Sequence, residues 1–492
     1  MKLCLINHSF RYELEKLIRI FLPFEKIEFF DTYEKDELNA ITIIEEKDGK
    51  TFAKAELYYN SLFFTESFTV EESTQGFDKE CELRLAIALY NCFVSATGYV
   101  PQWGILTGIR PAKLFTRLCK ELGNDNAEKY LKETLKVNDK KISLCKLTVS
   151  GEAIITSLSK SNSYSLYISI PFCPTRCSYC SFVSHSVAQA KKLIPNYVDF
   201  LCKELEVTAK LAGENNLNLE TIYIGGGTPT AISADEIEKI MTTVNSCFDL
   251  SNLREYTVEA GRPDTITEEK LEVIKNCGAT RISINPQTMC DSVLENIGRK
   301  HTSAQTVEAF NLARKIGFTN INMDLIAGLP SDTTESFTDT VNKVLELNPE
   351  SVTVHSLSLK RSSTMNKNGD LPEKAVGETA SFMVDFAREK LSENGILPYY
   401  MYRQSKTVGN LENVGYAKKG YECLYNVYIM DETHTILACG ASAVTKLREP
   451  DGDYIERIFN YKYPYEYIDS FDEMISRKNG VNLFYDKYRN RD

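Results

Sequence analysis

From residue 163 to about 360, short apolar runs alternate with stretches whose hydrophobic residues recur at helical spacing. The strand-like runs are Leu166–Ile170, Thr221–Ile224, Glu255–Glu259, Arg281–Ile284, Asn320–Leu325 and Ser351–Ser356. Helical periods fall between them, near 195–212, 234–246, 267–276, 303–316 and 335–346. Such βα repetition predicts a parallel sheet with right-handed crossovers. A closed or partly closed βα barrel is the natural α/β architecture; periodicity leaves a doubly wound open sheet as the alternative. In either fold the chemistry belongs at the carboxyl ends of the strands.

The first 160 residues follow a different pattern. Ala40–Ile44 and Thr51–Tyr59 predict two strands joined at Lys47-Asp48-Gly49, and a helix follows over about 81–96. The only Trp, Trp103, opens a Gly-spaced turn that leads into a helix near Pro111. The polar stretch from Ser159 to Ser163 marks a boundary. The expected organisation is an N-terminal α+β domain (1–160), a βα barrel core (161–360) and a C-terminal region (361–492) that completes the cover of the site.

Composition narrows the class. Of 492 residues, 43% are hydrophobic and 25% charged, as in ordinary globular proteins. A net charge of −11 fits a cytoplasmic enzyme and argues against bulk attraction to nucleic acid or anionic lipid. No run of 18 apolar residues is present to span a membrane, and charge at Arg11 and Glu13 interrupts any signal-peptide core. Fourteen cysteines in such a chain are expected as reduced thiols, and a cluster among them as a metal site.

One such cluster exists. Cys173, Cys177 and Cys180 stand at C-x₃-C-x₂-C spacing directly after the first barrel strand. Three thiolates on one loop reach three corners of a [4Fe–4S] cube and leave one iron open for a small chelating ligand. Zinc is the competing reading, with His185 as a fourth ligand. Gly225-Gly226-Gly227-Thr228 ends the second strand, where missing side chains permit close approach by a ligand. Glu259, Asn285 and Gln287, and Asp324 place polar groups at later strand ends, with Arg299 beyond the fourth strand. Each alone suits a cap or a surface position; together they suit ribose hydroxyls, with Arg299 suited to a carboxylate. His355, ending the sixth strand, is either catalytic or a hydrogen-bonded structural histidine.

Tyr167–Cys180, Gly225–Thr230 and Asp324-Leu325-Ile326-Ala327-Gly328-Leu329-Pro330 together resemble the radical S-adenosylmethionine (SAM) superfamily. More narrowly, the chain is similar to oxygen-independent coproporphyrinogen III dehydrogenases, of the HemN-like type, from about Tyr167 to Ser442. Gly104–Leu114 and Tyr399–Arg403, continuing into Gly409–Tyr416, resemble the HemZ branch of that family. The resemblance implies a partial (β/α)6 TIM-type barrel with an N-terminal α+β domain and a short C-terminal extension. It implies cluster ligation by Cys173, Cys177 and Cys180, and SAM, in two molecules, as cofactor. Tyr167 matches a family residue beside the first SAM, and Gly226, Gly227 and Thr228 the motif that receives its amino group. Glu259, Gln287, Arg299 and Asp324 match polar SAM-binding positions, and Ile326 a residue near the adenine. Tyr167 and Arg299 are also expected at catalytic positions.

The implied reaction is oxidative decarboxylation of two propionates of coproporphyrinogen III, giving protoporphyrinogen IX. An electron donor such as flavodoxin or ferredoxin would supply the cluster. Because the net charge is negative, recognition of a tetrapropionate needs local cations, with Arg403 among Tyr399, Tyr400 and Tyr402 as the candidate. The bland reading of that segment is a strand of buried tyrosines with an exposed Arg.

Two departures open other readings. Typical coproporphyrinogen dehydrogenases carry a fourth cysteine where Phe182 stands, and a helical C-terminal domain for which too few residues follow Gly440. The Phe182 pattern is shared with heme chaperones of the superfamily. Their His-Asn-x-x-Tyr-Trp segment corresponds here to Tyr425-Asn426-Val427-Tyr428-Ile429-Met430, without the His or the Trp. A tetrapyrrole methyltransferase or a heme-degrading enzyme on the same scaffold is the third reading.

Overall fold

A computed structural model describes residues 1–23, 25–30, 39–71, 76–108, 110–182, 184–358, 374–404 and 406–489. These divide into two compact units, 1–146 with 403–411 and 147–402 with 412–492.

The first unit is built on a five-stranded sheet of β1 (Lys2–Ile6), β2 (Glu28–Phe30), β3 (Asn39–Lys47), β4 (Lys50–Tyr59) and β5 (Leu62–Val70), in the order β2-β1-β3-β4-β5. The β3–β4 hairpin is the predicted one. Asp48 and Gly49 both take positive φ (53° and 71°), which matches the twist of the flanking strands. Helices Arg11–Phe21 and Phe77–Thr97 contribute Leu14, Leu17, Ile18, Leu85 and Leu89 to its core.

The second unit holds β6 (Ser163–Ile170), β7 (Phe172–Cys173), β8 (His185–Ser186), β9 (Asn218–Gly226), β10 (Glu255–Glu259), β11 (Arg281–Ser283), β12 (Ile321–Ala327) and β13 (Ser351–Ser356). It continues with β14 (Leu397–Arg403), β15 (Glu412–Ala417), β16 (Thr435–Cys439), β17 (Val444–Arg448) and β18 (Ile455–Phe459). One sheet runs β14-β15-β13-β12-β11-β10-β9-β6-β16-β17-β18. Its six central strands, β6 and β9 to β13, are parallel neighbours in chain order. A doubly wound sheet would reverse that order at a central strand, and no reversal occurs. The architecture is therefore the expected partial (β/α)6 barrel, left open, with β15 antiparallel to β13 and β16 parallel to β6.

The crossover helices begin where capping chemistry permits. Ser233 accepts from the Glu236 N–H while Glu236 accepts from the Ser233 N–H, and Thr302 with Gln305 repeats the device. Gly317 ends the helix Ser303–Ile316 at φ 102°, a conformation other residues rarely adopt.

The residues after β16 are integral to the unit. Lys478 and Glu204 form a buried ion pair at 2.8 Å. The Glu204 carboxylate also accepts from Gly440 N–H, Asn460 Nδ2 and Tyr467 Oη at 2.5–2.7 Å.

A second buried network lies at the amino-terminal side of β6. His434 bridges the hydroxyls of Ser159 and Ser165 at 3.0 Å and stacks on Tyr428, while Glu220 pairs with Arg254. Burial, helped by Arg254 and Arg448, holds the His434 imidazole down to about 3. An unfolded histidine titrates near ~6.5, so between those values the unfolded chain binds the extra proton. Stability therefore falls as pH drops through that window, by ~1.4 kcal/mol per pH unit from this group. His434→Asn should flatten the acid limb of an unfolding-versus-pH curve by that slope, measured by chemical denaturation.

Candidate cluster and cofactor site

The cysteine loop leaves β6 at Pro171 and is clamped by the glycine run that ends β9. Gly227 N–H donates to Ile170 O and Thr228 N–H to Phe172 O, both at 2.8 Å. Gly226 sits at φ 113°, and a Cβ on Gly227 would lie 2.6 Å from Phe172 O and 3.0 Å from Cys173 Sγ. The glycines thus admit the cysteine loop itself. Because the N–H groups of Gly227 and Thr228 are used there, carbonyl oxygens are what this end of the run has left to offer a ligand.

Around the cysteines the polar groups are donors. Thr228 Oγ1 donates to Cys173 Sγ at 3.4 Å, and Arg262 Nη1 approaches Cys177 Sγ at 3.9 Å while also donating to Thr175. Arg299 is buried beside this loop. It donates to Asn285 O at 2.8 Å and Tyr179 Oη at 3.3 Å, and its Nε has no hydrogen-bond partner among the described residues. Two buried guanidiniums and a hydroxyl aimed at thiol sulfurs suit an anionic thiolate centre. Burial pushes the Cys180 thiol up to about 11 and raises that of Cys173, so a cationic metal is what would hold them as thiolates. These donors suit an iron–sulfur group, while among the described residues no three His, Cys, Asp or Glu side chains are gathered closely enough to hold a metal ion. His185, the alternative zinc ligand, pairs with Phe172 across β7–β8, and its ring packs edge-on against Tyr463 and Tyr465.

Strand register assembles the remaining polar positions. Gly225 pairs with Ser169, Glu259 with Ser283 and Ser283 with Asn322; Asp324 follows two residues on, opposite Thr353. Tyr223 Oη donates to Glu259, and burial pushes the Glu259 carboxyl up to about 7 despite that bond. Asp324 Oδ2 lies 3.8 Å from His355 Nε2, and Oδ1 accepts from Asn322 Nδ2 at 2.7 Å. Burial opposes ionisation of Asp324, but His355, Asn322 and Thr353 outweigh it and hold the carboxyl below its ordinary range. Gln287 takes φ 69°, its N–H donating to Asp324 O and its carbonyl accepting from Ile326 N–H. A glutamine held in the left-handed region at a strand end is the kind of strain that collects at functional sites. Glu259 feels the charges of Asp324, His355 and Arg281, so the carboxylates share one polar interior.

Tyr167 reaches this interior through a stack that sequence reasoning missed. Tyr223 and Tyr425 stack at 4.5 Å, and Tyr167 lies near 6 Å from both. Tyr223 was visible in the strand before the glycines, whereas Tyr425 and Arg262 carried no periodic signal.

Arg403 ends β14. It belongs to the first unit, where its guanidinium donates to the carbonyls of Leu106, Gly108 and Asn410 and lies over the Trp103 ring at 5.3 Å. It is buried, not exposed. That corrects the reading of this residue as an exposed Arg among buried tyrosines.

Asp324→Ala should weaken SAM binding about 10- to 100-fold, because a hydrogen bond between buried groups with an ionised partner is worth ~1.5–3 kcal/mol. Equilibrium binding to reconstituted protein checks it; unchanged affinity with a lowered melting temperature would make Asp324 a structural carboxylate.

Comparison with known proteins agrees with this site. The Radical SAM superfamily model matches residues 167–344. The chain is 39% identical over 423 residues to the oxygen-independent coproporphyrinogen-III oxidase-like protein HemZ of Bacillus subtilis (strain 168), covering 85% of this chain and 84% of that one. It is 32% identical over 314 residues to the heme chaperone HemW of the same organism, covering 61% of this chain and 77% of the relative. The coproporphyrinogen III oxidase HemN of Escherichia coli, a radical SAM enzyme, superposes with a TM-score of 0.51 at 23% identity, over 65% of this chain and 72% of that one, a likeness of fold. The family implies a [4Fe–4S] cluster and SAM. Among the described residues, no helix is long and apolar enough to cross a membrane. The cysteine loop, the glycine clamp and the carboxylate-lined barrel thus belong to a HemN-like protein of the radical SAM superfamily.

Proposed function

We propose that this protein is a radical SAM oxidoreductase that converts propionates of coproporphyrinogen III to vinyl groups. When bound, the reduced cluster and SAM supply a carbon-centred radical able to remove one hydrogen atom from a propionate. Cys173, Cys177 and Cys180 would hold the cluster, and Arg262 and Arg299 would offset its negative charge. Gly226, Gly227 and Thr228 would receive the SAM amino group, with Glu259, Gln287, Arg299 and Asp324 as its polar partners and Ile326 against the adenine. Tyr167 would sit beside the first SAM, and a second SAM is part of this reading. Each conversion removes one hydrogen atom, one electron and CO₂, so a one-electron acceptor is a necessary co-reactant.

The observation that carries the enzymatic reading over heme carriage is the packing of Tyr425–Met430. Tyr425 is locked in the tyrosine stack, Asn426 Nδ2 donates to Tyr400 Oη at 3.3 Å, and Tyr428 takes a 2.6 Å bond from Arg254. Tyr425, Val427 and Tyr428 are buried, and the segment has no histidine to offer a heme iron. The likeness to HemW favours heme binding as the second reading. Adding coproporphyrinogen III to reduced protein and SAM should accelerate formation of 5′-deoxyadenosine. Stoichiometric heme binding with no such acceleration would favour the carrier.

A further inference from the structure

Arg262 lies just past the end of β10, and its bonds tie together the ends of three strands. Its Nε and Nη2 grip the two oxygens of Asp264 at 3.0 and 2.9 Å. Nη1, on the opposite edge of the guanidinium, donates to Thr175 O at 3.1 Å and Thr175 Oγ1 at 2.9 Å, and lies 3.9 Å from Cys177 Sγ. Thr175 is the middle residue of the spacer between Cys173 and Cys177. The Arg262 backbone is braced as well. Its carbonyl accepts from Thr265 N–H at 3.0 Å and Thr265 Oγ1 at 2.8 Å. Thr265 Oγ1 also meets Thr230 Oγ1, at the end of the glycine motif, at 2.7 Å, and Lys270 Nζ donates to the carbonyls of both threonines.

No rival cation claims Asp264. His301 Nδ1 lies 3.8 Å away, but burial, then the charges of Arg299 and Arg262, push that imidazole down to about 4, so the ring is neutral at working pH. Burial opposes ionisation of Asp264; the bonds and charge of Arg262 outweigh it and hold the carboxyl below its ordinary range.

We infer that Arg262, aimed by Asp264, is a positioning residue that fixes the spacer of the cysteine loop and raises the reduction potential of the centre held there. The inference rests on the proposed cluster at Cys173, Cys177 and Cys180. A positive charge beside a thiolate ligand favours the state that carries one more electron. Asp264 binds the edge of the guanidinium turned away from Cys177, so its opposing field is weaker at that sulfur. Arg262 is 3% exposed, so salt screens the effect little.

Two measurements on the full-length chain test this. In a spectroscopic redox titration of reconstituted protein, Arg262→Met should shift the one-electron reduction equilibrium at least about tenfold toward the oxidised form, ~59 mV to lower potential. In the chain without iron, trypsin should cut after Arg176, an exposed residue of the loop, at least about tenfold faster in Arg262→Met and in Asp264→Ala than in wild type. Cutting after exposed Lys192, outside the spacer, is the control for the fold and should be unchanged. An unshifted potential in Arg262→Met, or cutting after Arg176 at the wild-type rate in either variant, would overturn the inference. So would equal acceleration at both sites, which would make the effect one of global stability. A wild type that retains no iron after reconstitution would instead overturn the cluster reading, while the proteolysis would still decide whether Arg262 fixes the loop.

Discussion

Replacing Cys173, Cys177 and Cys180 together by alanine should leave a folded protein that retains neither iron nor sulfide and cleaves no SAM. Wild type reconstituted anaerobically should hold close to four of each per chain, as the cluster type requires. The fold should survive because backbone bonds hold the loop, not thiols: Thr228 N–H to Phe172 O, Ser178 N–H to Ile297 O and His185 N–H to Pro171 O. Metal analysis and near-UV dichroism of the same samples separate loss of the group from loss of structure. Iron retained by the triple variant, or one zinc per wild-type chain, would contradict the assignment.

The second large effect concerns stability. Lys478→Met should destabilise the second unit by ~3–5 kcal/mol, because it strands the Glu204 carboxylate in the interior without its counter-charge. Glu204 is completely buried and Lys478 is 3% exposed, so water cannot stand in for the missing partner. The double variant Glu204→Leu/Lys478→Met should recover much of the loss, since a buried ion pair contributes little beyond what apolar residues of similar volume supply. Denaturant midpoints of the three proteins check this. A single variant as stable as wild type would mean that Gly440 N–H, Asn460 and Tyr467 alone suffice for the carboxylate.

The central sheet was largely legible from the sequence because local rules govern it. Each predicted barrel strand appears within about three residues of its expected bounds, as with Thr221–Ile224 inside Asn218–Gly226. Strand alternation and capping residues such as Ser233 and Thr302 act over a few positions, so a pattern reader sees them. Proximity of the cysteine and glycine motifs was also legible, since βα topology brings the ends of successive strands together.

What stayed hidden depends on contacts between distant segments. Tyr425 stacks on Tyr223 from two hundred residues away, and Lys478 meets Glu204 across a similar separation. Neither leaves a trace in local hydrophobic periodicity. β16 joins the parallel sheet beside β6 although it follows the barrel repeats by many residues. The burial of Arg403 stayed hidden for a related reason. An Arg among tyrosines looks like an exposed side chain until the carbonyls of Leu106 and Gly108, far back in the chain, are seen to receive it.

The most direct measurement is product mass after anaerobic incubation of reconstituted protein with reductant, SAM, an electron acceptor and coproporphyrinogen III. The account predicts tetrapyrrole lighter by CO₂ and two hydrogens for each propionate converted, ending at the divinyl product, with 5′-deoxyadenosine formed in step. Substrate returned at its original mass by protein that carries a full, reducible cluster and cleaves SAM would contradict it.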